Sequence, residues 1–232
     1  MISSIKTNIF IFLLFLIFNT TQSSATNHFK ITSMKMEIFR NNKLIGYSNY
    51  YFEYINNKMI VKNNTKFEAT IFGIKKFSFI SDSIEKYENN KLVHFNSKTL
   101  QNNKKKYVTL SFDENNNNFS IEGSSFKGFS NIDIVVANWW NNKILKAKKQ
   151  ISPISGSIKD QNVTFVKTEK INLYNSNYST NRFKLKSKNK DLSKNKELDF
   201  DIWVNKENNI ILKVSYSRFG NWEYRLKSLE LN

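Results

Sequence analysis

The stretch Ile74–Asp113 reads IKKFSFISDSIEKYENNKLVHFNSKTLQNNKKKYVTLSFD. Three runs rich in Phe, Ile, Val and Thr are parted by Glu88-Asn89-Asn90 and by Asn102-Asn103. Asn enters positive φ at lower cost than most residues, so both interruptions predict tight hairpin turns. The stretch is therefore expected to be a three-stranded antiparallel meander. Phe77 and Phe79 share one phase of the first strand and Ile80 and Ile84 the other, so apolar side chains stand on both faces. A lone antiparallel sheet leaves one face wet, and the expected cover is the sheet's own curvature, a helix or a ligand.

The same pattern extends outward. Upstream, Met34, Met36 and Ile38 alternate with Lys35 and Glu37, the two-residue period of a half-buried strand. Asn41-Asn42-Lys43 turns into a Tyr-rich strand, where Gly46 predicts a bulge or a close backbone approach. Asn56-Asn57 turns again into Lys58–Ile71, which Gly73 ends. Downstream of the polar loop Glu114–Asn118, short strands are expected at Phe119–Glu122, Ser124–Lys127, Ile151–Ile158 and Gln161–Ile171. Phe129–Lys149 lacks a two-residue period and predicts an irregular turn or short helix around Ala137–Lys143. Asp199–Val204, Ile210–Arg218 and Trp222–Leu231 form a last meander. About a dozen short strands predict an all-β single domain: a curved antiparallel meander forming a half-barrel, barrel or sandwich.

Met1–Ala25 has the pattern of a secretory signal peptide. Lys6 is the positive end, Ile9–Phe18 is unbroken apolar sequence, and Ser23-Ser24-Ala25 offers small residues for cleavage after Ala25. Ten apolar residues rise about 15 Å as a helix, half of a roughly 30 Å hydrocarbon core, which argues against a retained anchor. The mature chain, 26–232, is thus expected in the periplasm, with the extracellular space as the alternative and no later membrane span.

The 232 residues, 15% of them aromatic, can build a sizeable core. With no Cys there is no disulfide, thiolate metal site or Cys nucleophile. The formal charge is +17, or +16 once Lys6 is removed, which points to anionic partners. Lys outnumbers Arg 32 to 4, however, and Asn is as abundant as Lys, so drift toward A-rich codons explains the charge better than built phosphate recognition. Nucleic acid is not an expected partner. The six Lys of Lys184–Lys196 are expected on an exposed hairpin, where they discourage edge pairing.

Several blocks in order carry a resemblance. They are Asn42-Lys43-Leu44-Ile45-Gly46; Glu85-Lys86-Tyr87, Asn90-Lys91-Leu92 and Ser97-Lys98-Thr99; Trp139-Trp140-Asn141 followed by Gly156; and Asp201-Ile202-Trp203 followed by Gly220 and Tyr224-Arg225-Leu226. Together, over about Lys30–Leu226, they are similar to a family of exported bacterial proteins known only as a domain of unknown function. The chain departs from that pattern at Tyr87, where Trp is expected, and at Val204, where Tyr is expected. The resemblance implies a signal peptide and a curved antiparallel sheet, and it implies no catalytic residue.

Chemistry is sparse. His28 and His94 stand alone, so no metal site is expected, and neither a nucleophile elbow nor a phosphate-cradling glycine loop exists. No cofactor is implied. Asp199, Asp201 and Trp203 share one strand face, and with Glu85 they form the candidate polar cluster, able in principle to hold or cleave a sugar. The candidate ligand-binding residues are Trp139, Trp140, Asn141, Trp203 and Tyr87, with the adjacent Trp139 and Trp140 at a cavity mouth. The favoured expectation is a non-enzymatic envelope protein that shelters a hydrophobic small molecule or lipid in its curved sheet. The alternative is a structural or interaction protein with a filled core that meets anionic envelope polymers. A glycan-active enzyme using Asp199 and Asp201 is third.

Overall fold

The computed structural model describes residues 30–71, 75–189, 192 and 197–232. The predicted signal segment, Gly73 and much of the Lys-rich tract after Asn189 lie outside the described residues. Fifteen strands form one sheet: β1 (Ile31–Arg40), β2 (Lys43–Ile55), β3 (Lys58–Ile71), β4 (Lys75–Glu88), β5 (Lys91–Gln101), β6 (Lys104–Asp113), β7 (Asn118–Gly123), β8 (Lys127–Asn131), β9 (Ile134–Val136), β10 (Lys149–Ile151), β11 (Ile158–Leu173), β12 (Ser176–Ser187), β13 (Asp199–Asn205), β14 (Ile211–Ser217) and β15 (Asn221–Leu231). One 3-10 turn, Asn142–Leu145, interrupts them. The architecture is all-β, as the sequence predicts.

Hairpins dominate because the turns are chemically set. Asn41-Asn42, Asn89-Asn90, Asn102-Asn103 and Tyr174-Asn175 all have φ between 47° and 67°, the pair of left-handed residues that a two-residue turn of matching twist requires. Neighbours in sequence pair antiparallel, except β9 and β10, which run parallel, and β8 and β9, which are the two ends of the sheet and do not pair. Strand β1 also pairs with β15, joining the two meanders. The sheet order runs from β8 through β1 and β15 to β9.

The sheet curls until its two ends meet, and this nearly closed barrel covers the inner face. Phe95, Leu110 and Ile121 of β5–β7 pack against Ile134, Val136 and Ile151 of β9 and β10. The seam is tight at two glycines. A Cβ on Gly123 would stand 2.5 Å from the Ser155 carbonyl oxygen and 2.9 Å from Gly156 Cα. The Ser125 N–H donates to the Ser155 carbonyl at 2.9 Å across the same seam. Gly46 meets both readings made of it: the β1–β2 register shifts beside it, and a Cβ there would lie 2.1 Å from the Lys66 carbonyl oxygen.

Four expectations need correction. Ser124–Lys127 is not a strand; the chain bends there to reach the seam, and β8 begins only at Lys127. Ile151–Ile158 is not a strand either, because Ser152–Ser157 closes a turn around Pro153, with the Ser152 N–H bonded to the Ser157 carbonyl. Lys184 and Lys186 sit in β12, which is paired on both sides, so they protect no sheet edge. Finally, the Ile80 and Ile84 face is the outer one and each is 39% exposed, so no described element lies over it.

Candidate functional site

Register along β2–β5 stacks the inner face in layers. Gly46, Phe67 and Phe79 lie opposite one another; next come Ser48, Thr65, Ser81 and Thr99; then Tyr50, Asn63, Ser83 and Ser97; then Phe52, Val61, Glu85 and Phe95. Two polar layers are thus held between apolar ones. The hydroxyls largely satisfy each other, with Ser48 Oγ 2.7 Å from Thr65 Oγ1 and Ser81 Oγ 2.7 Å from Thr99 Oγ1. Asn63 Nδ2 donates to Ser48 Oγ at 2.9 Å. A buried polar belt of this kind persists only when its members are bonded.

Against this belt lies a cavity of about 380 Å³. Its other wall is aromatic: Trp139, Phe200, Tyr216 and Tyr224, with Tyr50, Phe79 and Phe95 at the belt. Trp139 packs on Phe200 with ring centroids 5.3 Å apart. Gln150 of β10 also borders the cavity; it is 4% exposed, and its Nε2 has no hydrogen-bond partner among the described residues. A second cavity, about 580 Å³, opens at the β4–β5 turn and is bordered by Tyr87, Leu92, Asn141 and Lys143.

Glu85 stands between the two spaces, fully buried. Its Oε1 accepts from Asn138 Nδ2 at 2.9 Å and from the Trp140 indole at 3.0 Å, and its Oε2 accepts from the Tyr87 hydroxyl at 2.5 Å. Burial pushes its carboxyl up from 4.5 to about 6, against these hydrogen bonds, which favour the ionised form. Asn138 borders both cavities, so this knot is their common wall. It fastens the irregular segment after β9 to the sheet.

The proposed site residues therefore separate into three places. Trp139 borders the first cavity, whereas Trp140 is turned into the knot, edge-on to Phe52 at 5.3 Å and Tyr87 at 5.7 Å. Asn141 caps the 3-10 turn by accepting from the Lys143 N–H at 3.0 Å. Trp203 lies on the outer face, donating to Glu169 at 2.9 Å between Arg182 and Lys213, whose cations sit 5.0 and 4.7 Å from its ring. Asp199 and Asp201 share that outer face. Arg182 grips Asp201 with Nε at 2.9 Å and Nη2 at 2.8 Å, while Lys184 bridges Asp199 at 2.5 Å and Asp201 at 3.0 Å. Burial opposes ionisation of Asp201, but Lys184 and Arg182 outweigh it and hold the carboxyl below the usual range. Two carboxylates committed to cations make a cross-strand brace. Glu85 is not joined to Asp199 and Asp201, and it belongs with Tyr87 and Trp140. Gln150, Asn138 and most of the Ser/Thr belt carry no mark in the sequence; Ser97 and Thr99 stand out there only as part of a resemblance block. Among the described residues no group of three His, Asp or Glu is placed to hold a metal.

The solved structure of a beta-barrel-like protein of domain of unknown function DUF1849 from Brucella abortus shares the fold, with a TM-score of 0.58, 7% identity, and coverage of 87% of this chain and 98% of that one. A Bacteroides fragilis protein, named "putative exported protein with YmcC-like fold", aligns at a TM-score of 0.35 with 10% identity, over 85% of this chain and 94% of its own. The hypothetical lipoprotein YmcC from Escherichia coli aligns at 0.26 with 13% identity, over 84% and 85%. Scores that low support no inference about fold or function. No curated protein matches the chain. Residues 36–227 match the family described as domain of unknown function DUF6134, and the chain belongs to that family.

Proposed function

We propose that this is an exported, non-enzymatic protein that holds a small amphiphilic, lipid-like molecule inside its barrel. The observation that carries the reading is the cavity of about 380 Å³, with aromatic rings on one wall and a hydrogen-bonded hydroxyl belt on the other. Mostly apolar concave sites with a few placed polar groups are the usual form of small-molecule pockets. Export rests on the signal pattern of Met1–Ala25. The charge of +17 favours the second reading, a filled barrel that meets anionic polymers, but interior space of this size weighs against a filled core. The ion pairs on Asp199 and Asp201 weigh against glycan chemistry there.

The test is titration with N-phenyl-1-naphthylamine, whose fluorescence rises in apolar surroundings. One probe per chain is expected to bind. Ser83 borders the cavity, so Ser83→Phe should fill part of it and cut probe affinity about tenfold or more, with the circular dichroism spectrum unchanged. Asp201→Asn, on the outer face, should leave probe binding intact. Equal binding by Ser83→Phe would place the probe elsewhere and refute the reading.

A further inference from the structure

We infer that the cavity selects a neutral amphiphile whose head carries both a carbonyl acceptor and hydroxyl donors, such as a short-chain glycerol ester, and that it rejects the corresponding fatty-acid anion. The inference rests on the cavity reading above and names its ligand class. Three observations converge on it.

The first is Gln150. A buried amide N–H without a partner is rare in folded proteins and asks for an acceptor. Its Nε2, enclosed in this structure, is a donor only on a residue that borders the cavity, and a side-chain rotation would present it to a ligand carbonyl or ether oxygen. The second is the belt. Each hydroxyl has one proton and two lone pairs, so after the Ser48–Thr65 contact lone pairs remain on the belt. Ser83 adds another hydroxyl at the cavity wall. These groups accept from ligand hydroxyls. The third is charge. The charged residues at the cavity are Glu85, Glu197, Asp199, Lys159 and Arg218, but the Asp199 carboxylate is turned to Lys184 on the outer face, which leaves two carboxylates and two cations. Arg218 already donates to the Glu197 carbonyl at 2.8 Å. Glu85 is the buried one of the five, so an anionic head entering the space meets a like charge in low dielectric. A quaternary ammonium head carries no acceptor for Gln150. Size limits the tail: 380 Å³ is about a dozen water volumes, which admits roughly eight to ten carbons beside a small head.

Three probes with the same eight-carbon tail test this on the purified chain by calorimetric titration: monooctanoylglycerol, octanoate and octyltrimethylammonium. The glycerol ester is expected to bind at least about tenfold more tightly than either ion. Gln150→Leu removes the orphan donor and keeps the bulk, so it should weaken the ester about tenfold while the melting temperature holds or rises. That combination separates a ligand-contacting residue from a structural one. If octanoate or octyltrimethylammonium binds as tightly as the ester, or if Gln150→Leu binds the ester unchanged, the ligand assignment is overturned and the cavity reading survives. If none of the three binds, both fall.

Discussion

Glu85 is buried and accepts hydrogen bonds from three neutral donors, and no cation among the described residues bonds to it. Its raised value fixes the sign of a pH effect. A carboxyl that titrates near 6 when folded and near 4.5 when unfolded stabilises the fold fully below about 4.5, and that contribution is lost as pH rises through 6. The loss is on the order of 2 kcal/mol. Asp201 and Glu223 behave oppositely: their depressed values mean stability that is lost as the solution is acidified below the ordinary carboxylate range. Thermal melts between pH 4 and 8 should thus show greatest stability on the acid side of neutrality. Glu85→Gln can keep all three hydrogen bonds, with Tyr87 turning acceptor. It should flatten the melting profile between pH 4.5 and 6 and melt no lower than the parent at pH 7. A large loss at pH 7 would mean that the charge itself holds the knot. At this scale the sequence was half legible. Glu85, Tyr87 and Trp139 stand out as rare or bulky residues. Gln150 and most of the Ser/Thr belt do not, because in so polar a chain a Ser or Gln carries no mark of which face it occupies. Strand β4, with apolar residues in both phases, left that phase open.

Among the elements, the meander β4–β6 is legible with its turns placed to within one residue, Glu88 still belonging to β4, because paired Asn at positive φ fix both the place and the type of turn. The readings failed at β8–β10. Those strands are three to five residues long, and their pairing is set by the seam, not by local alternation. The seam makes its own prediction. The neighbours of a Cβ at Gly123 are backbone atoms of Ser155 and Gly156, which cannot swing aside. Gly123→Ala should therefore cost about 1–3 kcal/mol and increase binding of anilinonaphthalene sulfonate, by opening the interior. A melting temperature and dye response equal to the parent would show that the two ends are not in contact. The brace of Arg182, Lys184, Asp199 and Asp201 also explains why part of the Lys-rich tract is not free surface: Lys184 is committed across β12 and β13.

Taken whole, the molecule is a sheet curled on itself, with four apolar clusters filling most of the interior and a belt of hydroxyls that leaves a gap beside the aromatic wall. The all-β class follows from turn spacing, and the curvature is what the family resemblance implies. Closure follows from neither, because it depends on the contact of Gly123 with Gly156 and on the β1–β15 pairing between the first and last strands. The hollow interior was equally hidden, since it arises from how side chains from opposite walls fail to meet. Whether that hollow is occupied in the cell is the most direct question. Native mass spectrometry of the protein isolated from its own cells, with organic extraction of the same sample, answers it. A stoichiometric excess mass that moves into the solvent, and that is a small neutral amphiphile, is the expected result. A bare mass, with nothing recovered in the solvent, would contradict the binding function.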